Sequence, residues 1–75
     1  MPYISIKTFP KDDETKRKAA EAVLEAIQKS MGARPEWVTV SVEDVDPAEW
    51  DEKVVKGEIL PKKDSVLILD GKKQY

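Results

Sequence analysis

The sequence predicts an α/β (α+β) domain built as one βαβ unit, with two parallel strands and one long helix. Apolar and polar residues alternate over residues 3–9 and again over residues 37–43, which is the period of a strand with one buried face. Between them, over residues 14–31, apolar residues recur at steps of three and four. Strands joined by such a helix are parallel, with a right-handed crossover.

Each predicted strand has one apolar face for the helix to cover. The first strand, "YISIKTF", places Ile4 and Ile6 on the same side, and Pro10 ends it. In the second strand, "WVTVSVE", the apolar face consists of Val38, Val40 and Val42.

The predicted helix carries signals for both of its ends. Asp12 or Asp13 is suited to be the N-cap, because an acidic side chain there accepts hydrogen bonds from unpaired amides. Gly32 is suited to be the C-cap, and Pro35 prevents the helix from continuing. The apolar stripe predicted to face the sheet consists of Ala20, Val23, Leu24, Ile27 and Met31.

The remainder of the chain gives weaker signals. Asp46 and Pro47 predict the start of a helix of one or two turns. Residues 66–69 are apolar without a clear period, so they fit either a short strand or the buried side of a last helical turn. We expect one domain over residues 1–75, with a C-terminal extension from about residue 51.

The size of the chain predicts association with copies of itself. A chain of 75 residues with 40% apolar content buries too little surface for a robust core of its own. Two parallel strands also leave unpaired edges on both sides. We therefore expect a homo-oligomer in which a second copy extends the sheet.

Composition excludes several function classes. The chain has no cysteine and no histidine, which excludes disulfides, thiolate nucleophiles, the usual zinc sites and serine–histidine catalysis. The net charge is −2, and acidic and basic residues are interspersed along the chain without forming a basic patch. Neither a nucleic acid nor a membrane surface is therefore an expected partner. The sequence shows no signal peptide or membrane span, and we expect a cytoplasmic protein.

The amino terminus is the most promising proton-transfer group in this composition. If Met1 is removed, Pro2 becomes a secondary amine at the start of a strand. An α-amine has a reference pKa of about 7.7 to 8, much nearer neutrality than that of a lysine. If Met1 stays, the same nitrogen is a tertiary amide with no basic lone pair.

The order of these features resembles the tautomerase superfamily, in its short 4-oxalocrotonate tautomerase-like branch. The resemblance rests on Pro2 before an alternating strand, the loop "FPKD", a helix ending near Gly32, a valine-rich strand and "DPAEW". It runs from Pro2 to about Trp50, and the tail looks like those of longer bacterial members. It implies a protomer that dimerises into a four-stranded sheet, as a homodimer or a trimer of dimers, without metals or cofactors.

The resemblance also assigns roles to residues. Pro2 matches the general base, and Trp50 matches an aromatic residue in the apolar wall of the site. Lys11 lies within one residue of a loop arginine that binds substrate carboxylate. Thr39 stands where well-known members have a second arginine, so a dicarboxylate substrate is not expected. Arg34, in the helix–strand loop, is a candidate replacement for that missing cation.

The function that follows is keto–enol tautomerisation, an isomerase reaction, on a small enol or unsaturated carboxylic acid. One alternative is hydration or dehalogenation of an unsaturated acid, for which Pro2 has to be protonated at neutral pH. Another is a non-catalytic oligomeric binding or assembly module on the same scaffold. Thr39 and a retained Met1 would favour that module.

Overall fold

The structure, a computed structural model, describes residues 1–75 and divides the chain into two compact units. The first unit is Met1–Val45 and the second is Asp46–Tyr75. The division falls just before the predicted start of the C-terminal extension. The prediction of a single domain over residues 1–75 stays a prediction.

The first unit has the predicted parallel pair of strands. β1 (Tyr3–Thr8) pairs with β2 (Thr39–Asp44) in register from Tyr3 opposite Thr39 to Thr8 opposite Asp44. The prediction that the second strand begins at residue 37 was wrong. Pro35 restricts the backbone to helical φ values, and Pro35–Trp37 forms a 3₁₀ turn before the strand.

The helix α1 (Asp13–Met31) connects these strands and confirms the βαβ architecture. Asp12 is its N-cap and accepts a hydrogen bond from Thr15 N at 2.8 Å. Gly32 is its C-cap, with a left-handed φ of 66° that favours glycine.

The core of the first unit is small. α1 packs on β2, but none of its residues is fully buried, and the predicted stripe residue Met31 is 66% exposed. Across the whole chain only two apolar side chains are buried, Val45 and Val54, and neither is completely inaccessible to solvent. The aliphatic residues of both strands are half-buried. So little burial is what we expect of a protomer that completes its core with another copy.

The second unit is helical and then forms a hairpin. Asp46 caps a 3₁₀ turn, Pro47–Glu49, and a π-helix follows over Asp51–Ile59. The predicted helix of one or two turns was therefore too short. A bond from Leu60 N to Val55 O at 2.9 Å continues the i→i+5 pattern.

A short hairpin ends the chain. After a 3₁₀ turn, Lys63–Ser65, the strands β3 (Ile68–Leu69) and β4 (Lys72–Lys73) pair antiparallel. The turn residues Asp70 and Gly71 both have positive φ, which is the geometry of a tight hairpin turn. Of the apolar run at residues 66–69, only Ile68–Leu69 is thus a strand, and both of its residues are exposed.

Helices long and apolar enough to cross a bilayer are absent from the structure.

The N-cap of α1 should make the stability of the fold depend on pH. Hydrogen bonds from Thr15, through its side chain and its backbone N–H, and then the Lys16 charge, hold the pKa of Asp12 below its ordinary value of 3.8. A lowered pKa in the folded state stabilises the fold fully above 3.8, and this stabilisation disappears as the pH falls through the folded-state pKa.

We expect Asp12→Ala to lower the Tm by a few degrees at pH 7 and by less well below pH 3.8, where Asp12 is protonated and keeps only a neutral capping oxygen. Asp12→Asn keeps a capping oxygen but cannot ionise, so its Tm at pH 7 should lie between those of the other two. Thermal unfolding followed by circular dichroism between pH 2 and pH 7 checks this. An equal Tm loss by Asp12→Ala at every pH would contradict the assignment.

Candidate active site

The structure fixes Pro2 at the amino-terminal end of the sheet. The carbonyl oxygen of Pro2 accepts a hydrogen bond from Thr39 N at 3.2 Å, and the next residue, Tyr3, begins β1. Pro2 is half-buried, whereas Met1 before it is 93% exposed. Pro2 is therefore anchored to the sheet through its backbone carbonyl, while Met1, which blocks its nitrogen, projects into solvent.

Polar side chains lie close to this end of the sheet. Thr39 is exposed and stands opposite Tyr3 in the strand register. The Tyr3 hydroxyl lies 3.2 Å from Ser41 Oγ, a diagonal contact across the two strands. The structure thus brings Pro2 and the predicted residue Thr39 together and adds a phenol–hydroxyl pair that the sequence did not assign to the site.

Lys11 lies at the opposite end of the sheet. It follows β1 in the loop to α1, and β1 has 6 residues. At about 3.3 Å per residue, the strand alone separates Pro2 from this loop by roughly 20 Å. Pro2 and Lys11 of one protomer therefore do not belong to the same site.

The Lys11 ammonium is available for a ligand. It is exposed, and it makes neither an ion pair nor a side-chain hydrogen bond in this structure. The helix lysines Lys18 and Lys29, by contrast, pair with Glu14 and Glu25 at 3.2 and 2.9 Å. An unpaired exposed cation at a loop is suited to bind a carboxylate without first giving up a partner.

Arg34 is differently placed. Its guanidinium is 3.0 Å from a carboxylate oxygen of Glu36 and stands over the ring of Trp37, 5.4 Å from the ring centre. A substrate carboxylate would have to compete with Glu36 for this group. The predicted role of Arg34 in substrate binding stays a prediction.

Trp50 belongs to the second unit. It is half-buried at the junction between the 3₁₀ turn Pro47–Glu49 and the π-helix Asp51–Ile59. Its predicted role as an apolar wall stays a prediction.

The second unit also contains a cavity of about 440 Å³. Apolar side chains of the π-helix and of the segment before the hairpin line most of it, among them Val55, Ile59 and Val66. None of the predicted site residues lines this cavity.

Sequence reasoning missed one residue beside the Lys11 loop. Asp44, the last residue of β2, accepts hydrogen bonds from the backbone N of Lys11 and from Lys16 Nζ, both at 3.3 Å. The contact spans more than thirty positions of the chain, so no local motif announces it. The only available signal was the parallel register, which places the end of β2 beside the end of β1.

Comparisons with known proteins agree with this architecture. Residues 2–60 match the family model described as "Tautomerase enzyme". A protein named Tautomerase PptA from Enterobacter sp. (strain 638) is 33% identical over 73 residues, which cover 95% of this chain and 96% of the relative. The Tautomerase PptA of Cronobacter sakazakii is 31% identical over 68 residues, which cover 88% and 90% of the two chains.

The Tautomerase PptA of an Escherichia coli strain is 26% identical over 73 residues. The family match begins at Pro2, includes the whole βαβ unit and extends through the π-helix. The chain therefore belongs to the tautomerase family, in its short 4-oxalocrotonate tautomerase-like branch, and is an isomerase-type enzyme.

Proposed function

We propose that this protein is a keto–enol tautomerase in which Pro2, freed by removal of Met1, is the general base. The observation that supports this most strongly is the placement of Pro2. Its carbonyl is bonded to β2, its ring is half-buried, and only the exposed Met1 blocks its nitrogen. A base held in this way loses little entropy when it meets its substrate.

The proposed reaction moves one proton. The Pro2 nitrogen takes the proton from the enol hydroxyl, and the O–H electron pair forms the carbonyl π bond. The electrons of the former carbon–carbon double bond move onto the far carbon, which becomes carbanion-like. The protonated amine then returns the proton to that carbon. Transfer by a positioned base contributes about 10² to 10⁴ in rate, which is enough for an easily ionised substrate.

The proposed substrate is a small enol or unsaturated acid with a single carboxylate. Lys11 offers one unpaired ammonium, while Thr39 offers a hydroxyl where the family has a second arginine. One cation is suited to one carboxylate, and the neutral hydroxyl is suited to a hydrogen bond. Trp50 is proposed to provide an apolar wall.

The site is proposed to form between subunits. Two-fold pairing of like strands is antiparallel, so it brings the amino-terminal end of one protomer's sheet beside the carboxyl-terminal end of the other's. Pro2 of one subunit then meets Lys11 of the partner subunit, which a single protomer separates by the length of β1. The cation also lowers the pKa of the amine. The homo-oligomer, a dimer or a trimer of dimers, is thus part of the proposal, as is a cytoplasmic location.

Direct titration of the Pro2 nitrogen tests the proposed chemistry. We expect the amine, followed by ¹⁵N NMR on protein labelled at proline, to titrate below the reference range of about 7.7 to 8. The pH dependence of kcat/KM should follow the same pKa.

A pKa above that range would overturn base catalysis and favour the hydratase or dehalogenase alternative, which needs a protonated amine. An intact mass that includes Met1, with no titrating ring nitrogen, would instead favour the non-catalytic module, to which Thr39 also points.

A further inference from the structure

Asp44 ties the Lys11 loop to two other elements. It ends β2, opposite Thr8 of β1 in the register. One carboxylate oxygen accepts the hydrogen bond from Lys11 N and the other accepts from Lys16 Nζ, both at 3.3 Å. Asp44 is therefore the point at which the sheet, the loop and the first turns of α1 are joined.

The loop between Thr8 and α1 is held at both of its ends. Before it, Thr8 O accepts a hydrogen bond from Val45 N at 2.8 Å. After it, Asp12 caps the helix by accepting from Thr15 N. Lys11 lies between these anchors, and its bond to Asp44 is the contact that fixes its own backbone. With the backbone fixed, the free ammonium is restricted to the arc that its side chain can sweep.

Lys16 makes this arrangement somewhat more favourable to an anionic ligand. An unpaired Asp44 carboxylate would attract the Lys11 ammonium and repel a substrate carboxylate. In the structure, Lys16 Nζ lies 3.3 Å from Asp44 and 3.6 Å from Asp13, and the Lys16 side chain is only 23% exposed. The charge of Asp44 is thus offset, and the Lys11 ammonium is left unpaired.

We propose that Asp44 is a positioning residue for Lys11, and that it sets the affinity for carboxylate substrates without touching the substrate. This inference rests on the proposed function, because it takes Lys11 to be the carboxylate-binding group. Its effect is on binding, so loss of Asp44 should raise KM and leave kcat nearly unchanged.

Three single variants separate the contacts of Asp44. Asp44→Ala removes both bonds and should raise KM for an aryl enolpyruvate about tenfold, with kcat within about twofold of wild type. Asp44→Asn keeps an acceptor for Lys11 N and should restore most of the affinity. Lys16→Gln leaves the Asp44 carboxylate without its counter-charge; because this ion pair is partly exposed, KM should rise by no more than about threefold.

A double-mutant cycle with Lys11→Ala distinguishes positioning from a general structural effect. If Asp44 acts through Lys11, adding Asp44→Ala to Lys11→Ala should change KM no further. Independent, multiplicative effects of the two substitutions would overturn the inference. So would an equal KM increase for the neutral methyl ester of the substrate, because the ester has no carboxylate for Lys11 to bind.

Failure of the proposed function would look different. If Lys11→Ala leaves KM unchanged, Lys11 is not the carboxylate-binding group and both proposals fall. If Lys11→Ala raises KM and Asp44→Ala does not, only the Asp44 inference falls.

Hydrogen exchange of the Lys11 amide supplies a readout independent of activity. We expect exchange at this amide to be faster in Asp44→Ala than in wild type and near wild type in Asp44→Asn. Equal exchange in all three proteins would overturn the inference. If Asp44→Ala fails to fold, Asp44→Asn and Lys16→Gln still test it, because a tenfold rise of KM in either would contradict the expected values.

Discussion

Pro2→Ala should lower kcat/KM for an aryl enolpyruvate by about 10²-fold or more. After removal of Met1 the variant still has a terminal amine, but this amine lacks the ring that fixes its direction at the start of β1. The base is then poorly aligned with the proton that it must take, and misalignment of a catalytic group is costly. Initial rates of ketonisation, followed by ultraviolet absorbance, measure the loss.

The fold should survive this substitution. The hydrogen bond at Pro2 uses its carbonyl oxygen, which alanine retains, and Pro2 itself is only half-buried. Pro61→Ala is the matched control, because it removes a proline from an exposed turn of the second unit and should keep wild-type activity. A Pro2→Ala protein that is folded and retains the wild-type rate within about twofold would show that Pro2 is not the base.

Lys11→Ala should raise KM for the same substrate about 10- to 100-fold, because a charge-assisted hydrogen bond to the substrate carboxylate is lost. Stability should hardly change, since the ammonium has no partner in the structure. Lys11→Arg should retain most of the affinity. Lys72→Ala, which removes another exposed lysine, is the matched control and should leave KM unchanged.

Equal KM values for Lys11→Ala and wild type would contradict the carboxylate role. An increase that is the same for the acid and for its neutral ester would show that Lys11 acts on the structure of the site rather than on the charge of the substrate.

Local patterns predicted the first unit well, for physical reasons that the structure makes plain. The alternation around Ile4 and Val40 gave both strands, because a two-residue period survives only where one face of a sheet is buried. Asp12 and Gly32 marked the ends of α1, because capping depends on neighbouring residues alone. The start of β2 was predicted too early because Trp37 continues the alternation, while Pro35 favours a 3₁₀ turn.

The second unit was predicted less well. No characteristic spacing of apolar residues identifies a π-helix from sequence. Gly57 is consistent with a π-helix once the structure is known, but it does not predict one. A Cβ at Gly57 would lie 3.2 Å from Glu52 O, the carbonyl five residues earlier. The hairpin did have a signal, since Asp70-Gly71 is a preferred sequence for a tight turn between strands.

The proximity of the site residues required the parallel register. Thr39 lies beside Pro2 and Asp44 beside the Lys11 loop only because β1 and β2 run in the same direction. The periodicity of the sequence predicts two parallel strands, but it does not predict which residues of the two strands are paired. The same register places Pro2 and Lys11 at opposite ends. Because one protomer keeps Pro2 and Lys11 apart, the proposed function requires a site shared between two subunits, and this is its central claim.

Mixing two variants that each have low activity tests this claim most directly. Pro2→Ala and Lys11→Ala protomers are unfolded together, refolded as a mixture and assayed at a substrate concentration far below KM. In a mixed dimer one site carries both substitutions and the other carries neither. Half of the dimers are mixed and half of their sites are intact, so the activity should rise to about a quarter of wild type.

A mixture of Pro2→Ala with the double variant Pro2→Ala/Lys11→Ala is the control and should stay inactive. Activity of the first mixture that merely equals the average of the two separate variants would contradict a site built from Pro2 of one subunit and Lys11 of another.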